Sequence, residues 1–173
     1  MNQYIVHAVE KRDAEYAQIA AFAAAVYDAN VIHPLRQVFP GYICVHRRDQ
    51  LNAVVGFRSA SGGLFLEQYL EESVEQLLQR SQGLEVTRDK IAELGAFHIK
   101  SPSLVPLFSK HIERLLMEKG FSHALALSDS AVGTVHEWCQ ARAAMLSSTT
   151  QEFMDQGNEV ALDVCVLALE CRG

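Results

Sequence analysis

Basic residues are in the minority in this chain. Fifteen lysines and arginines stand against twenty-one aspartates and glutamates, for a formal net charge of −6. That balance supplies no general pull toward nucleic acid or anionic lipid. The only adjacent basic pair, Arg47-Arg48, reads as a solvated turn. Paired metal ligands are also missing. Cys44, Cys139, Cys165 and Cys171 form no CxxC spacing, and the seven histidines form no HxH or HxxxH pair. A metal site is therefore not expected. No apolar run approaches the ~18 residues of a membrane span. The start, MNQYIVHAVEKRDAEY, lacks the basic flank and apolar centre of a secretion signal. A reduced, cytoplasmic protein is the expectation. No GxSxG motif supports Ser128 or Cys139 as a nucleophile, and no internal repeat is visible.

What is present suffices for a core. Apolar residues make up 49% of the chain and charged residues 21%, a composition of folded proteins. A length of 173 residues suits one domain spanning 1–173. Tyr4–Val9 reads as a first strand. Tyr16, Ile19, Ala20, Ala23, Val26 and Tyr27 recur at helical steps, and Asn30 with His33-Pro34 ends that helix. Tyr42–His46 and Ala53–Ser59 are strands joined as a hairpin through the polar Arg47–Leu51. After the turn Ser61-Gly62-Gly63 comes LFLEQYL, Leu64–Leu70, too apolar for a loop and too short for a helix alone. Glu71–Arg80 has helical spacing, with Glu71 and Glu72 placed for the helix dipole.

Arg88–Ile99, RDKIAELGAFHI, is the expected central strand. Glu93 interrupts its apolar pattern, and Gly95 inside it marks a bulge or a close approach. Lys100–Ser103 turns into a helix carrying Leu104, Phe108, Ile112 and Leu115, ended by Gly120. Ser122–Leu127 is a further strand. Ser128-Asp129-Ser130 offers caps for a helix with Val132, Val135, Trp138 and Cys139, and there Trp138 reads as core. Met145–Asn158 is polar and ambiguous. Val160–Leu169 is a last strand, interrupted by Asp163; its edge suits either a neighbour in the same chain or a second copy, a homodimer. Strands and helices in this order predict an α/β (α+β mixed) fold, a mixed central sheet with helices on both faces.

Three blocks, GFRSA at Gly56–Ala60, LFLEQYL at Leu64–Leu70 and R-x-x-I-x-E-x-G at Arg88–Gly95, resemble the thermostable hemolysin family. That family resembles, more distantly, the GNAT-type acyltransferases and the acyl-homoserine-lactone synthases. The resemblance covers roughly Tyr42 to Trp138 and implies a single GNAT-like domain. Ala96, Phe97 and His98 stand where the family continues with Asn-Leu-Ala. Lys100–Pro106, KSPSLVP, lacks the glycines of the GNAT phosphate loop. The resemblance implies acyl transfer from a thioester, acyl-CoA or acyl carrier protein, to an amine of a small molecule, with no tightly bound cofactor. The missing glycines make the carrier protein the more plausible donor.

Acyl transfer to an amine needs a base, an oxyanion site and a groove for the chain. Glu93 is the candidate base, because burial raises a carboxylate toward useful pKa values. The alternative is a structural ion pair with Arg58 or Arg88. Arg58 suits a carboxylate or phosphate of a substrate, or else pairs with Glu67. Arg88 has the same two readings. Glu67 and Tyr69 share a face if Leu64–Leu70 is a strand, with Gln68 opposite. Gly95 allows close approach, and His98 is an acid–base candidate or a satisfied polar group. Three functions follow: an N-acyltransferase, a GNAT-like binding or accessory module that has lost catalysis, and, ranked last, direct membrane lysis.

Overall fold

The computed structural model describes residues 3–30, 38–129, 144–153 and 158–169. Its strands are β1 (Ile5–Glu10), β2 (Gly41–Arg47), β3 (Gln50–Ser59), β4 (Ile91–Ile99), β5 (His123–Asp129), β6 (Ala144–Phe153) and β7 (Asn158–Ala168). Among the described residues three α-helices lie between them: α1 (Tyr16–Asn30), α2 (Val74–Gln82) and α3 (Val105–Glu118). The strands form one seven-stranded sheet in the order β1-β2-β3-β4-β5-β7-β6. All pairs are antiparallel except β4 with β5. The chain crosses from β4 to β5 through α3, as parallel neighbours require.

The two faces of the sheet bury different helices. Ile43, Val45, Val55, Ala92, Leu94 and Ala124 pack against Phe108, Ile112 and Leu116 of α3. Burying each of those three α3 side chains contributes roughly 1.5–3 kcal/mol. The opposite face carries two clusters. Val9, Cys44, Val54 and Ala96 meet Ile19 and Ala23 of α1. Ile91, Leu125, Val164 and Val166 meet Val74 and Leu78 of α2. The mixed α/β fold with helices on both faces is thus the observed architecture.

Local differences from the sequence reading have physical causes. The β2–β3 turn is Arg48-Asp49, with both residues at positive φ (50° and 60°), the geometry that fits the twist of a two-residue hairpin. Helix α2 starts at Val74, after Glu71 and Glu72. Ser73 caps it: its side chain accepts from Gln76 N–H, and Gln76 Oε1 accepts from Ser73 N–H. Glu75 takes the acidic place in the first turn, and Glu72 bonds Arg80 instead. Leu64–Leu70 is no strand: Leu66–Tyr69 forms a tight 3-10 turn. The ambiguous polar stretch contains β6. Strand β7 has neighbours on both sides, β5 and β6, so its edge is unavailable to a second copy. The expected helix at Val132–Cys139, the His33-Pro34 helix end, Cys139 and Cys171 lie outside the described residues.

Candidate active site

The site begins with an irregularity in β4. Leu94 pairs with Phe57 and Gly95 with Gly56, but His98 pairs with Val54. Ala96 and Phe97 therefore both lie across from Val55, a β-bulge, and Ala96 has φ +50°. A bulge shifts the alternation by one residue. Phe97 packs with the α3 cluster, and His98 turns to α1, where its ring meets Phe22 edge-on at 5.6 Å. On the other side of β4, pairing with β5 runs from Ile91–His123 to Leu94–Ala126. Both strands continue past that point, β4 to Ile99 and β5 to Asp129. Among the described residues no further ladder joins them, so the sheet opens between them just after Leu94.

Glu93 is wholly buried, at 0% exposure. Its two oxygens are held separately: Oε2 accepts from Phe65 N–H at 2.9 Å and Oε1 from Leu66 N–H at 3.0 Å. The LFLEQYL block thus arches over the central strand and presents backbone donors to it. Burial raises the Glu93 pKa above the ordinary carboxylate value, while the Phe65 N–H, the Arg58 charge and the Leu66 N–H pull it back. The raised direction shows that desolvation outweighs these partners.

Arg58 stands directly across the β3–β4 ladder from Glu93, with Nε 3.5 Å from Oε2. It also donates to Val38 C=O at 3.1 Å and lies over the Phe39 ring, 4.5 Å from its centroid. Phe39 is fixed from two sides. Tyr16 O–H donates to its carbonyl at 2.6 Å, and its N–H donates to Tyr42 Oη at 3.2 Å. Its ring lies against Gly56, where an added Cβ would come within 2.3 Å of it. Gly56 is therefore a close-approach glycine. A glycine inside an apolar strand was the available signal for this contact; Phe39 and the Phe65 and Leu66 N–H groups were not singled out by sequence.

The other expected residues divide. Glu67 does not pair with Arg58. Arg88 holds it through two bonds, of 2.8 and 2.5 Å, and also bonds Glu75 at 2.9 Å and the Ala60 carbonyl at 2.9 Å. Glu67 further accepts from Val74 N–H at the start of α2. These contacts make Glu67 and Arg88 a brace joining the turn, α2 and the end of β3. The Arg88 bonds hold the Glu67 carboxyl below the usual range and raise the Arg88 guanidinium. Tyr69 packs edge-on against Phe65, and burial raises its phenol pKa. Gly95 is buried beside the bulge. Burial and then Lys100 lower the His98 pKa. Arg58 meets Glu93 across the β3–β4 ladder, Gly95 stands where β4 parts from β5, His98 lies farther along β4, and the Glu67–Arg88 brace ties the turn to α2.

Among the described residues no three His, Cys, Asp or Glu side chains gather as a metal would require. No described helix is long and apolar enough to cross a membrane.

Residues 9–159 match the family described as Thermostable hemolysin. In three dimensions the chain is similar to the AHL synthase LasI, at 13% identity and a TM-score of 0.62, covering 95% of this chain and 91% of that one. It is similar to FeeM, an N-acyl amino acid synthase from uncultured soil microbes, at 10% identity and a TM-score of 0.61, covering 98% and 92%. An N-acetyltransferase from Staphylococcus aureus shares 10% identity and a TM-score of 0.61, covering 97% and 99%. These likenesses show the fold, that of N-acyltransferases. Among curated proteins none matches the chain significantly in sequence.

Proposed function

The chain belongs to the thermostable hemolysin family, and from that premise we propose that it is an N-acyltransferase. It moves an acyl group from a thioester, acyl-CoA or acyl carrier protein, to the amine of a small molecule. The observation that carries this reading is the opening between β4 and β5 beside a buried carboxylate. Past Leu94 the β5-facing edge of β4 has no ladder partner among the described residues, so its backbone groups can bind an extended thioester arm and polarise its carbonyl.

The amine nitrogen attacks the thioester carbon and forms the C–N bond. The tetrahedral intermediate then collapses, the C–S bond breaks, and the thiolate leaves. Glu93 takes the proton that the amine loses and returns it to the leaving sulfur. Each carboxylate oxygen keeps a lone pair beyond its backbone bond, and water relays the proton to it. Arg58 positions Glu93 and lowers its pKa from the value burial alone would set. Gly95 lets the donor approach β4 closely. Tyr69, packed against Phe65 in the turn, and His98, farther along β4, are the remaining substrate-binding candidates, and Glu67 with Arg88 serves by holding the turn.

One observation favours a second reading. Both Glu93 oxygens are already engaged and the side chain is fully buried. A GNAT-like module that binds a thioester or carrier without turnover would use Glu93 for structure alone. Mass spectrometry of the protein with acyl-CoA or acyl carrier protein and a panel of amines separates the two. An amide formed above background supports the transferase. A retained donor without amide removes it and leaves the binding module.

A further inference from the structure

A second cavity lies at the far end of β4. A groove of about 640 Å³ runs between α1 and the β2–β3 hairpin, lined in part by Glu15, Phe22, His46, Asp49, Leu51 and Lys100. That volume lies within the range of small-molecule sites. Lys100 follows β4, and its N–H donates to Asn52 C=O, which ties it to the hairpin. At ~3.3 Å per strand residue, Lys100 lies on the order of 20 Å from Glu93. Neither Glu93 nor Arg58 lines the groove, so it is a separate site.

Its chemistry is specific in kind. Glu15 and Asp49 supply negative charge. One Glu15 oxygen accepts from, or pairs with, His7 Nε2 at 2.8 Å, which fixes the carboxylate and leaves its other oxygen available. Lys100 supplies positive charge, and Phe22 and Leu51 supply apolar surface. His46 is held edge-on by His7, with ring centroids 5.3 Å apart. A phosphate-rich anion would meet two carboxylates here, and a fatty chain would leave the charges unmatched. The complement of this lining is a zwitterion with an apolar arm. We propose that the groove binds a free α-amino acid with an apolar side chain: ammonium on Asp49 and Glu15, carboxylate on Lys100, side chain against Phe22 and Leu51. This site is distinct from the acyl-transfer cleft and does not depend on turnover there. Its occupant rests against Phe22, whose ring meets His98 of β4.

Calorimetry on the full chain tests it, with leucine and phenylalanine as probes. The controls are 4-methylpentanoate and 3-methylbutylamine, which each lack one of leucine's charges. Saturable one-site binding of an amino acid is expected, with both controls weaker by about tenfold or more, the usual cost of losing a charge-assisted bond. Lys100→Gln and Asp49→Asn should each weaken the amino acid by about tenfold. Both positions are exposed, and asparagine tolerates the positive φ at position 49, so both variants should fold. Arg58→Gln should leave binding unchanged. No heat at millimolar amino acid, full binding of either control, or indifference to both groove substitutions would overturn the proposal. Loss of binding in Arg58→Gln would also overturn it, by placing the amino acid in the cleft.

Discussion

Arg58 and Glu93 face each other across the β3–β4 ladder, with the guanidinium Nε 3.5 Å from a carboxylate that has no solvent exposure. The relationship has a sign. Burial raises the Glu93 pKa, and the Arg58 charge opposes that rise. Removing the charge must therefore raise the pKa further. If the carboxylate form of Glu93 is the working base, activity falls on the acid side of its pKa. Arg58→Gln should shift that acid limb to higher pH, and Arg58→Lys should shift it less. The pH profile of kcat/KM measures this. An Arg58→Gln profile that keeps its acid limb in place would mean that Glu93 is not the titrating group.

Glu93→Gln is a less clean probe than it looks. Glu93 accepts two backbone N–H bonds, one on each oxygen. Glutamine accepts one of them and turns an amide N–H toward the other. Leaving a buried donor unsatisfied costs about 1–3 kcal/mol. The variant should lose that much in urea denaturation, and its turnover should fall by a further ~10²–10⁴-fold per folded molecule if a general base has been removed. Lower stability with normal turnover per folded molecule would assign Glu93 to holding the Phe65–Leu66 turn and nothing more.

The Glu67–Arg88 brace predicts the opposite pH behaviour. The Glu67 pKa is lowered by its bonds to Arg88. A carboxylate lowered in the folded state contributes stability above its unfolded pKa and loses it as pH falls through the folded value. The raised Glu93 works the other way: its contribution falls as pH rises from the ordinary carboxylate range toward its raised value. Glu67→Gln should cost roughly 1–3 kcal/mol at neutral pH and flatten the acid loss of stability. Denaturation midpoints measured from neutral to acidic pH test this. An unchanged acid slope would show that the brace is not what fails in acid.

Much of this fold was legible because period and punctuation agreed. β4 and α3 announced themselves by the apolar run that Glu93 interrupts and by the Leu104, Phe108, Ile112 spacing before Gly120. The buried central carboxylate was legible for the same reason, since a charge inside a core strand must meet a partner. The partner was not. Its donors are main-chain N–H groups of Phe65 and Leu66, and a side-chain pattern carries no signature for those. LFLEQYL left a strand reading open because it is too apolar for a loop and too short for a helix alone. The chain instead turns tightly there, where Glu93 and Arg88 capture its backbone and Glu67. The β2–β3 turn was legible as a hairpin, but Arg48 and Asp49 occupy positive φ without the usual glycine. β6 was missed because polar residues dominate it.

The bulge at Ala96 yields the sharpest test of the opening between β4 and β5. Ala96 and Phe97 share one partner position, Val55, and the residues after them resume pairing with β3 at His98–Val54. Deleting Ala96 removes the extra residue and leaves that register intact. Phe97 would still face α3 and His98 would still face α1. It also removes a non-glycine residue at φ +50°, a conformation that costs roughly 1–2 kcal/mol. The deletion should therefore fold, with stability close to the parent once the lost burial of one methyl is set against the relieved backbone. A straight β4 would lie closer to β5 and extend the ladder past Leu94–Ala126. Hydrogen exchange should then show new protection at β4 amides after Gly95, and thioester binding should be lost while the fold persists. Retained binding in a folded deletion would mean that the opening does not depend on the bulge, and that the donor is held elsewhere.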